Sequence, residues 1–180
     1  MVNILSKNKY ISIRKPIIKD SKKYFTWINN RELVEFNSTF KTIKLKEHNK
    51  WFSEINRNPS AVYFSIIYSK KILIGSCSLR NIDLKKQEAE LQIRIGEKNF
   101  MNKGFGVQAL MLLLEFGFLN LKLENIYLNV FASNIRAIKA YEKCLFKREK
   151  LIENAVLMNG KFKDMYLMRV VKKDFMDLVK

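Results

Sequence analysis

The chain has 180 residues, long enough for one domain with one buried core. Hydrophobic residues at 48% and aromatics at 12% exclude a disordered or fibrous chain, and two cysteines, Cys77 and Cys144, exclude a disulfide-framed mini-domain. Charge is the unusual quantity: 34 Lys and Arg stand against 17 Asp and Glu, a formal +17, which speaks to partners and not to fold.

The basic residues are scattered rather than blocked, so a Lys-rich solvated surface accounts for them most simply. They are densest in the first 23 residues, where Lys7, Lys9, Arg14, Lys15, Lys19, Lys22 and Lys23 face only Asp20. Residues 1–15 lack the unbroken apolar stretch of a signal peptide, and the longest plain apolar run, Ala109–Leu114, is too short to span a bilayer. A soluble, cytoplasmic, reduced protein with no membrane partner is expected.

Tyr10–Arg14 alternates and is stopped by Pro16, which predicts a first strand. Asp20 and Ser21 then suit the cap of a helix carrying Tyr24, Trp27 and Ile28 at helical spacing. A second helix is predicted over Leu45–Ile55, with Leu45, His48, Phe52 and Ile55 on one face, ending before Asn58-Pro59. Ala61–Tyr68 and Ile72–Leu79, separated by Ser69-Lys70-Lys71, read as a hairpin. The cleanest alternation follows: Ala89, Leu91, Ile93 and Ile95 share one strand face, and Glu90, Gln92 and Arg94 the other.

After a loop over Gly96–Phe105, a helix apolar nearly all round runs to about Asn120 and is therefore a buried one. Ile126–Phe131 reads as a strand and Asn134–Cys144 as a helix. Two final strands meet at Asn159-Gly160, the dipeptide favoured in a type I′ turn. The predicted order is β-α-α-β-β-β-α-β-α-β-β, one mixed α/β domain over residues 1–180.

The segment between the alternating strand and the buried helix carries chemistry. Gly104 and Gly106 let the backbone approach a ligand and bare amides at a helix start, where unpaired N–H groups and the positive dipole end attract an anion. The Gly-Lys-Ser/Thr ending of a Walker loop and the third glycine of a dinucleotide fingerprint are both missing, so a plain tight turn explains the pair equally well. Thirty residues on, Asn134, Ala137 and Tyr141 share one helical face, presenting an amide, a small residue and a phenol. A lone Tyr in that position is also an ordinary core residue.

Taken together, the strand, Asn-Lys-Gly-Phe-Gly-Val-Gln-Ala at 102–109, the apolar helix, the next strand and Asn-x-x-Ala-x-x-x-Tyr-Glu-Lys-Cys-Leu-Phe at 134–146 resemble the GNAT acetyltransferase superfamily. The match resembles most the branch of ribosomal-protein alanine and spermidine N-acetyltransferases. It extends to Trp27-x-Asn29 and to the closing hairpin at 159–164. The resemblance implies a GNAT-type mixed sheet and acetyl-CoA as co-substrate. In that light Asn102, Lys103, Gly104, Phe105, Gly106 and Val107 would hold the CoA pyrophosphate through backbone amides. Ile93, Arg94 and Ile95 would line the pantetheine strand, and Asn134, with Ala137 on its face, would bind the CoA arm. Tyr141 would sit near the thioester sulfur. Two positions depart from the family: Met101 stands where Gln or Arg is frequent, and Leu145 where Gly is frequent.

Direct transfer to a primary amine needs a base and an acid. Tyr141, with an ordinary pKa of about 10, suits protonation of a departing thiolate. Glu90, on the polar strand face, is the candidate base, and a solvated ion pair is the equally simple reading of it. Both cysteines read as buried and structural, and the single histidine, His48, has no clustered ligands that would make a zinc site; no metal is expected. His48 fits a surface or half-buried helix position better than a reacting one.

For the acceptor, +17 opposes a polyamine, and a protein N-terminus needs an open groove that sequence does not show. The Trp27-Ile28-Asn29 and His48-x-x-Trp51-Phe52 patches resemble those of nucleotide-amino-sugar acetyltransferases, which makes Trp27, Asn29, His48 and Trp51 candidate acceptor residues. Aromatics at those spacings are also common helix packing. Two readings of other classes stand beside this one: an acetyl-CoA-binding sensor without turnover, and a basic nucleic-acid module. Helix-turn-helix, zinc-spacing and RNP signatures of the latter are all missing. A homodimer is common in the family.

Overall fold

The protein is described from a computed structural model that covers residues 10–35 and 38–179. Lys7 and Lys9 of the basic N-terminal stretch lie outside the described residues. The elements are β1 (Ile11–Arg14), α1 (Ser21–Ile28), α2 (Arg31–Val34), α3 (Leu45–Glu54), β2 (Val62–Tyr68), β3 (Ile72–Asp83), β4 (Glu88–Ile95), α4 (Phe105–Glu115), β5 (Asn125–Phe131), α5 (Ile135–Glu142), β6 (Lys147–Met158), β7 (Lys161–Val171) and α6 (Lys172–Val179). Seven strands make one mixed sheet in the order β1-β2-β3-β4-β5-β7-β6. Every pairing is antiparallel except β4 with β5.

That one parallel pairing sets up everything that follows. Its ladder is only Glu88–Glu90 against Asn125–Tyr127, although β4 continues to Ile95 and β5 to Phe131. Beyond Glu90 the two strands have no mutual hydrogen bonds, so the sheet is split along the second half of β4. An unpaired strand inside a sheet leaves backbone donors and acceptors that need partners.

The predicted alternation of β4 holds: Ala89 and Leu91 are buried, and Ile93 and Ile95 pack against the same core. α4 is apolar nearly all round because it is covered, with Ala109, Leu110, Leu113 and Leu114 all buried. Each of its buried leucines contributes about 1.5–3 kcal/mol. The helix continues as a π-turn over Phe116–Asn120, where the Leu121 amide reaches back to the Phe116 carbonyl at 3.2 Å. The Asn159-Gly160 turn has positive φ at both residues, 51° and 74°, as a type I′ turn requires.

Three details differ from the sequence reading. α2 and α6 are additional: α2 is a single turn capped by the Asn30 side chain, which accepts the Leu33 amide, and α6 is anchored by Phe175, buried against Phe118, with Met176 packed on the same core and Asp174 paired with Lys147. A four-residue turn and a Lys/Asp-rich helix with one buried anchor leave almost no periodic signal. Asp20 precedes α1 as expected but makes no side-chain cap. Its carboxylate is buried and accepts instead from Arg14 at 2.6 and 2.8 Å, Ser65 Oγ at 2.7 Å and the Ile17 amide at 3.0 Å, tying β1 to β2.

A second, smaller core lies beneath α1–α3. Tyr24, Trp27, Phe52 and Ile55 pack there on Ile67 and Leu73 of β2 and β3. Leu45, expected on the buried face of α3, is exposed at the first helical position. Among the described residues no helix is long and apolar enough to cross a membrane.

Candidate active site

Two cavities share the second half of β4, beyond its pairing with β5, as part of their walls. The first, about 420 Å³, lies between β4, the start of α4 and α5. Gly104 precedes α4 in the left-handed region at φ 77°, a conformation glycine adopts without a Cβ penalty. Its carbonyl accepts the Gln108 amide at 3.2 Å, so the amides ahead of Gln108 have no intrahelical acceptor. A Cβ on Gly104 would meet nothing within 4 Å: the loop faces open space, as a phosphate cradle must.

Of the residues expected on the donor side, Ile93, Arg94, Ile95, Asn102, Gly104, Gly106, Val107, Asn134 and Ala137 border this cavity. Lys103 and Phe105 do not. Phe105 turns its ring into Tyr68 and Phe100, at 5.1 and 6.0 Å between centroids, and so fixes the helix start from behind. Asn134 caps α5, its Oδ1 accepting the Ala137 amide at 3.2 Å. The chain supplies three cations that the sequence reading passed over: Arg136, Lys139 and Lys143 border the cavity from α5. Their spacing of three and four residues was the available signal.

The second cavity is larger, about 720 Å³, and lies between β3, β4 and the α1–α3 layer. Trp27, His48, Trp51 and Glu90 border it, as does Tyr63. Its aromatic wall is continuous: Tyr24 lies 5.6 Å from Trp27 and 6.2 Å from Trp51, and Trp51 meets Tyr63 edge-on at 5.7 Å. Trp27 is held in place by its Nε1, which donates to Glu97 Oε1 at 3.2 Å, the same oxygen that takes Lys23 Nζ at 2.9 Å. The indole lies flat against the backbone of Gly96, where a Cβ would collide with it.

Asn29 does not reach this cavity. Its amide is committed to Ile43, accepting the backbone N–H at 2.8 Å and donating to the carbonyl at 3.1 Å, and thereby ties the chain before α3 to the end of α1. His48 is neither exposed nor half-buried but buried, with Nε2 3.0 Å from both the hydroxyl and the carbonyl oxygen of Ser21. Burial lowers its pKa below the ordinary value, opposed by the Ser21 carbonyl, so it is a neutral wall residue at pH 7. Glu90 Oε2 accepts from Asn81 at 2.9 Å, with Arg80 as its cross-strand neighbour.

Three residues border both cavities: Ile93, Arg94 and Tyr141. Tyr141 is buried, its ring edge-on to Phe146 at 5.8 Å. Burial pushes its phenol up to about 12, with Cys144 adding slightly, so the group stays protonated through the neutral range. Burial likewise raises the Cys144 thiol to about 12 and the Cys77 thiol further still, which leaves neither a thiolate nucleophile at pH 7. Of the two departures noted in the sequence, Met101 borders the donor cavity. Leu145 follows α5 at φ 69°, a left-handed conformation that costs a non-glycine residue about 1–2 kcal/mol.

This arrangement has close counterparts. A model of the acetyltransferase (GNAT) domain family matches residues 11–147. Spermidine N(1)-acetyltransferase of Vibrio cholerae is 30% identical over 114 residues, 63% of this chain and 65% of that protein. The acetyltransferase PseH of Campylobacter jejuni is 27% identical over 119 residues, 66% of this chain and 71% of that protein. The solved structure of the Vibrio cholerae spermidine N-acetyltransferase in complex with CoA and spermine superposes with a TM-score of 0.84 at 26% identity, covering 94% of this chain and 99% of that one.

Proposed function

The chain belongs to the GNAT acetyltransferase family and is an acetyl-CoA-dependent N-acetyltransferase, and from that premise we propose that its acceptor is a primary amine on a nucleotide-linked sugar. The second cavity carries this reading. At about 720 Å³ it exceeds the donor cavity, and the aromatic residues Trp27, Trp51 and Tyr63 border it together with the cations Lys41 and Arg80. A flat base or sugar stacks on such rings, and phosphates are drawn to such cations. Glu47 also borders the cavity, but its carboxylate is turned to the Lys44 amide at 3.0 Å and closes the start of α3.

Glu90, an acidic residue on the wall of that cavity, would take the amine's proton, directly or through water. The freed amine attacks the acetyl carbonyl, the C–N bond forms, and the C–S bond breaks as the thiolate leaves. Tyr141 borders both cavities and gives that thiolate its proton. A phenol near 12 looks too weak an acid for a thiol of ordinary pKa, about 8.5. A leaving thiolate held in a buried setting would also be shifted upward, as the Cys144 thiol is, which would bring the two acidities closer. The donor arm is held by the amides before Gln108 and by Arg136, Lys139 and Lys143.

A polyamine acceptor is the second reading, favoured by the Vibrio cholerae relative. A polycation would have to enter beside Lys41 and Arg80 on a protein of +17. CoA-thiol release over a panel of nucleotide-linked amino sugars, spermidine, aminoglycosides and short peptides separates the two. Turnover confined to nucleotide sugars is expected. Preferred acetylation of spermidine would overturn the acceptor assignment.

A further inference from the structure

Arg94 stands on β4 where both cavities meet, and it is a cation without a counter-charge. Its Nε is buried with no hydrogen-bond partner, and no carboxylate among the described residues lies within ion-pair distance of it. Its cross-strand neighbour on β3 is Ser76, too small and uncharged to neutralise it. The next pair along the same face is Gln92 with Ser78, and only then comes Glu90 with Arg80. At 3.3 Å per residue, Glu90 is about 13 Å back along the strand, and Asn81 already holds it.

Arg94 is half-buried, and its buried Nε–H is a donor that an arriving anion would satisfy, while the guanidinium keeps its charge because it cannot be deprotonated in the working pH range. Burial lowers the Arg94 pKa, with no neighbouring acid to restore it. Arg80, by contrast, donates to Gln92 at 2.8 Å, and Arg14 is paired with Asp20.

We propose that Arg94 is the acceptor-specificity residue of this enzyme: its guanidinium receives a phosphate of the acceptor's diphosphate in the second cavity and so sets the sugar amine at the mouth of the donor cavity. The planar fork suits two phosphate oxygens at once. Around it Ser76, Ser78 and Gln92 offer neutral donors to the rest of the group. The same charge, unpaired at the passage to the thioester, repels an ammonium that brings no anion with it, which makes Arg94 a rejecting element as well as an attracting one. The chemistry of the anion rests on the nucleotide-sugar reading above, whereas the need for an anion rests on Arg94 itself.

The test uses binding, not turnover. Wild type and Arg94→Gln, each saturated with CoA so that the donor cavity is filled, are titrated with UDP by calorimetry. One UDP per chain is expected for wild type, at least about tenfold weaker binding for Arg94→Gln, intermediate binding for Arg94→Lys, and the same CoA affinity for all three. The Lys variant keeps the charge while altering the fork, so it separates a charge role from lost packing. No UDP binding by CoA-saturated wild type would overturn the proposal, as would equal UDP affinity in wild type and Arg94→Gln. CoA affinity lost in step with UDP affinity would also overturn it and move Arg94 to the donor arm. An acceptor panel that shows no nucleotide-sugar product would overturn the acceptor assignment and with it the diphosphate as the anion, whereas the titration, read without any acetyl transfer, decides separately whether Arg94 binds an anion in the second cavity.

Discussion

The two cavities are built in different ways. The donor side is made mostly of one continuous stretch, from Ile93 on β4 through the glycine loop into α4, completed by a single face of α5. On the proposed reading its main work falls to backbone amides, whose positions follow from two glycines and a helix start. The acceptor side is assembled from α1, α3, β2, β3 and β4, and its work falls to side chains held by remote partners: Trp27 by Glu97, His48 by Ser21. A site made of backbone tolerates change in the side chains around it. A site made of side chains is redefined by each one. A family can therefore keep one donor and change its acceptor.

Substitutions at the shared wall and on each side can break this contrast. Tyr141→Phe should have the largest effect, about 10²-fold on kcat, while acetyl-CoA affinity stays within about twofold. Pre-steady-state turnover and a separate titration measure the two, and an unchanged kcat would remove Tyr141 as the acid. Gly104→Val places a β-branched residue at φ 77°, so acetyl-CoA binding should weaken about tenfold. Equal affinity would mean the loop does not cradle the donor.

Gly96→Ala probes the other side without touching either ligand. Its Cβ forces the Trp27 indole off the β4 backbone, so the acceptor KM should rise several-fold at nearly constant acetyl-CoA affinity. The overpacking should cost about 1–3 kcal/mol, visible in the melting temperature. A matching loss of acetyl-CoA affinity would show that the two sides are not separable. The smallest functional effect is expected at Asp20. Burial alone would raise its pKa, but Arg14, Ser65 and the Ile17 amide outweigh that and hold it below the ordinary range. Its contribution to stability is therefore present above the unfolded value, about 3.9, and fades as pH falls through the lowered one. Asp20→Asn should lower the melting temperature at pH 7 by an amount equivalent to about 1–3 kcal/mol. The gap should close in acid, with KM values for both substrates unchanged. A pH-independent gap would assign the loss to packing.

The same division decides what could be read before the fold was known. The alternation of β4, the Gly104/Gly106 pair and the Asn134, Ala137, Tyr141 face are local patterns, and residues of all three border the first cavity. Lys103 and Phe105 show the limit of such reading. A loop motif says which backbone is near the ligand but not which side chains turn away, and Phe105 turns into Tyr68 and Phe100. Asn29 and Asp20, neither of which borders the second cavity, depart from the sequence reading for one reason. Short polar side chains near helix ends have several backbone partners within reach, and only the tertiary fold chooses among them. The split in the sheet was not legible at all, since nothing in β4 or β5 announces that their pairing stops after three residues. Leu145 lies between these cases. Its departure from the family's glycine was visible, and the structure gives it a meaning, since that position is left-handed.

Because Ile93, Arg94 and Tyr141 line both cavities, the two substrates of the proposed reaction would adjoin at these residues. Neither site has to empty before the other fills, so both substrates should be present together at turnover, with no acetylated enzyme between two half-reactions. A single molecule joining the CoA thiol to the acceptor nitrogen by a short tether would fill both sites at once. Its second end would bind at the millimolar effective concentration of a short linker, and affinity beyond either half by about 10²–10⁴ is the consequence. A tether longer than the gap between the two ligands would forfeit the advantage, so inhibitor potency against linker length would report the distance over which the acetyl group moves.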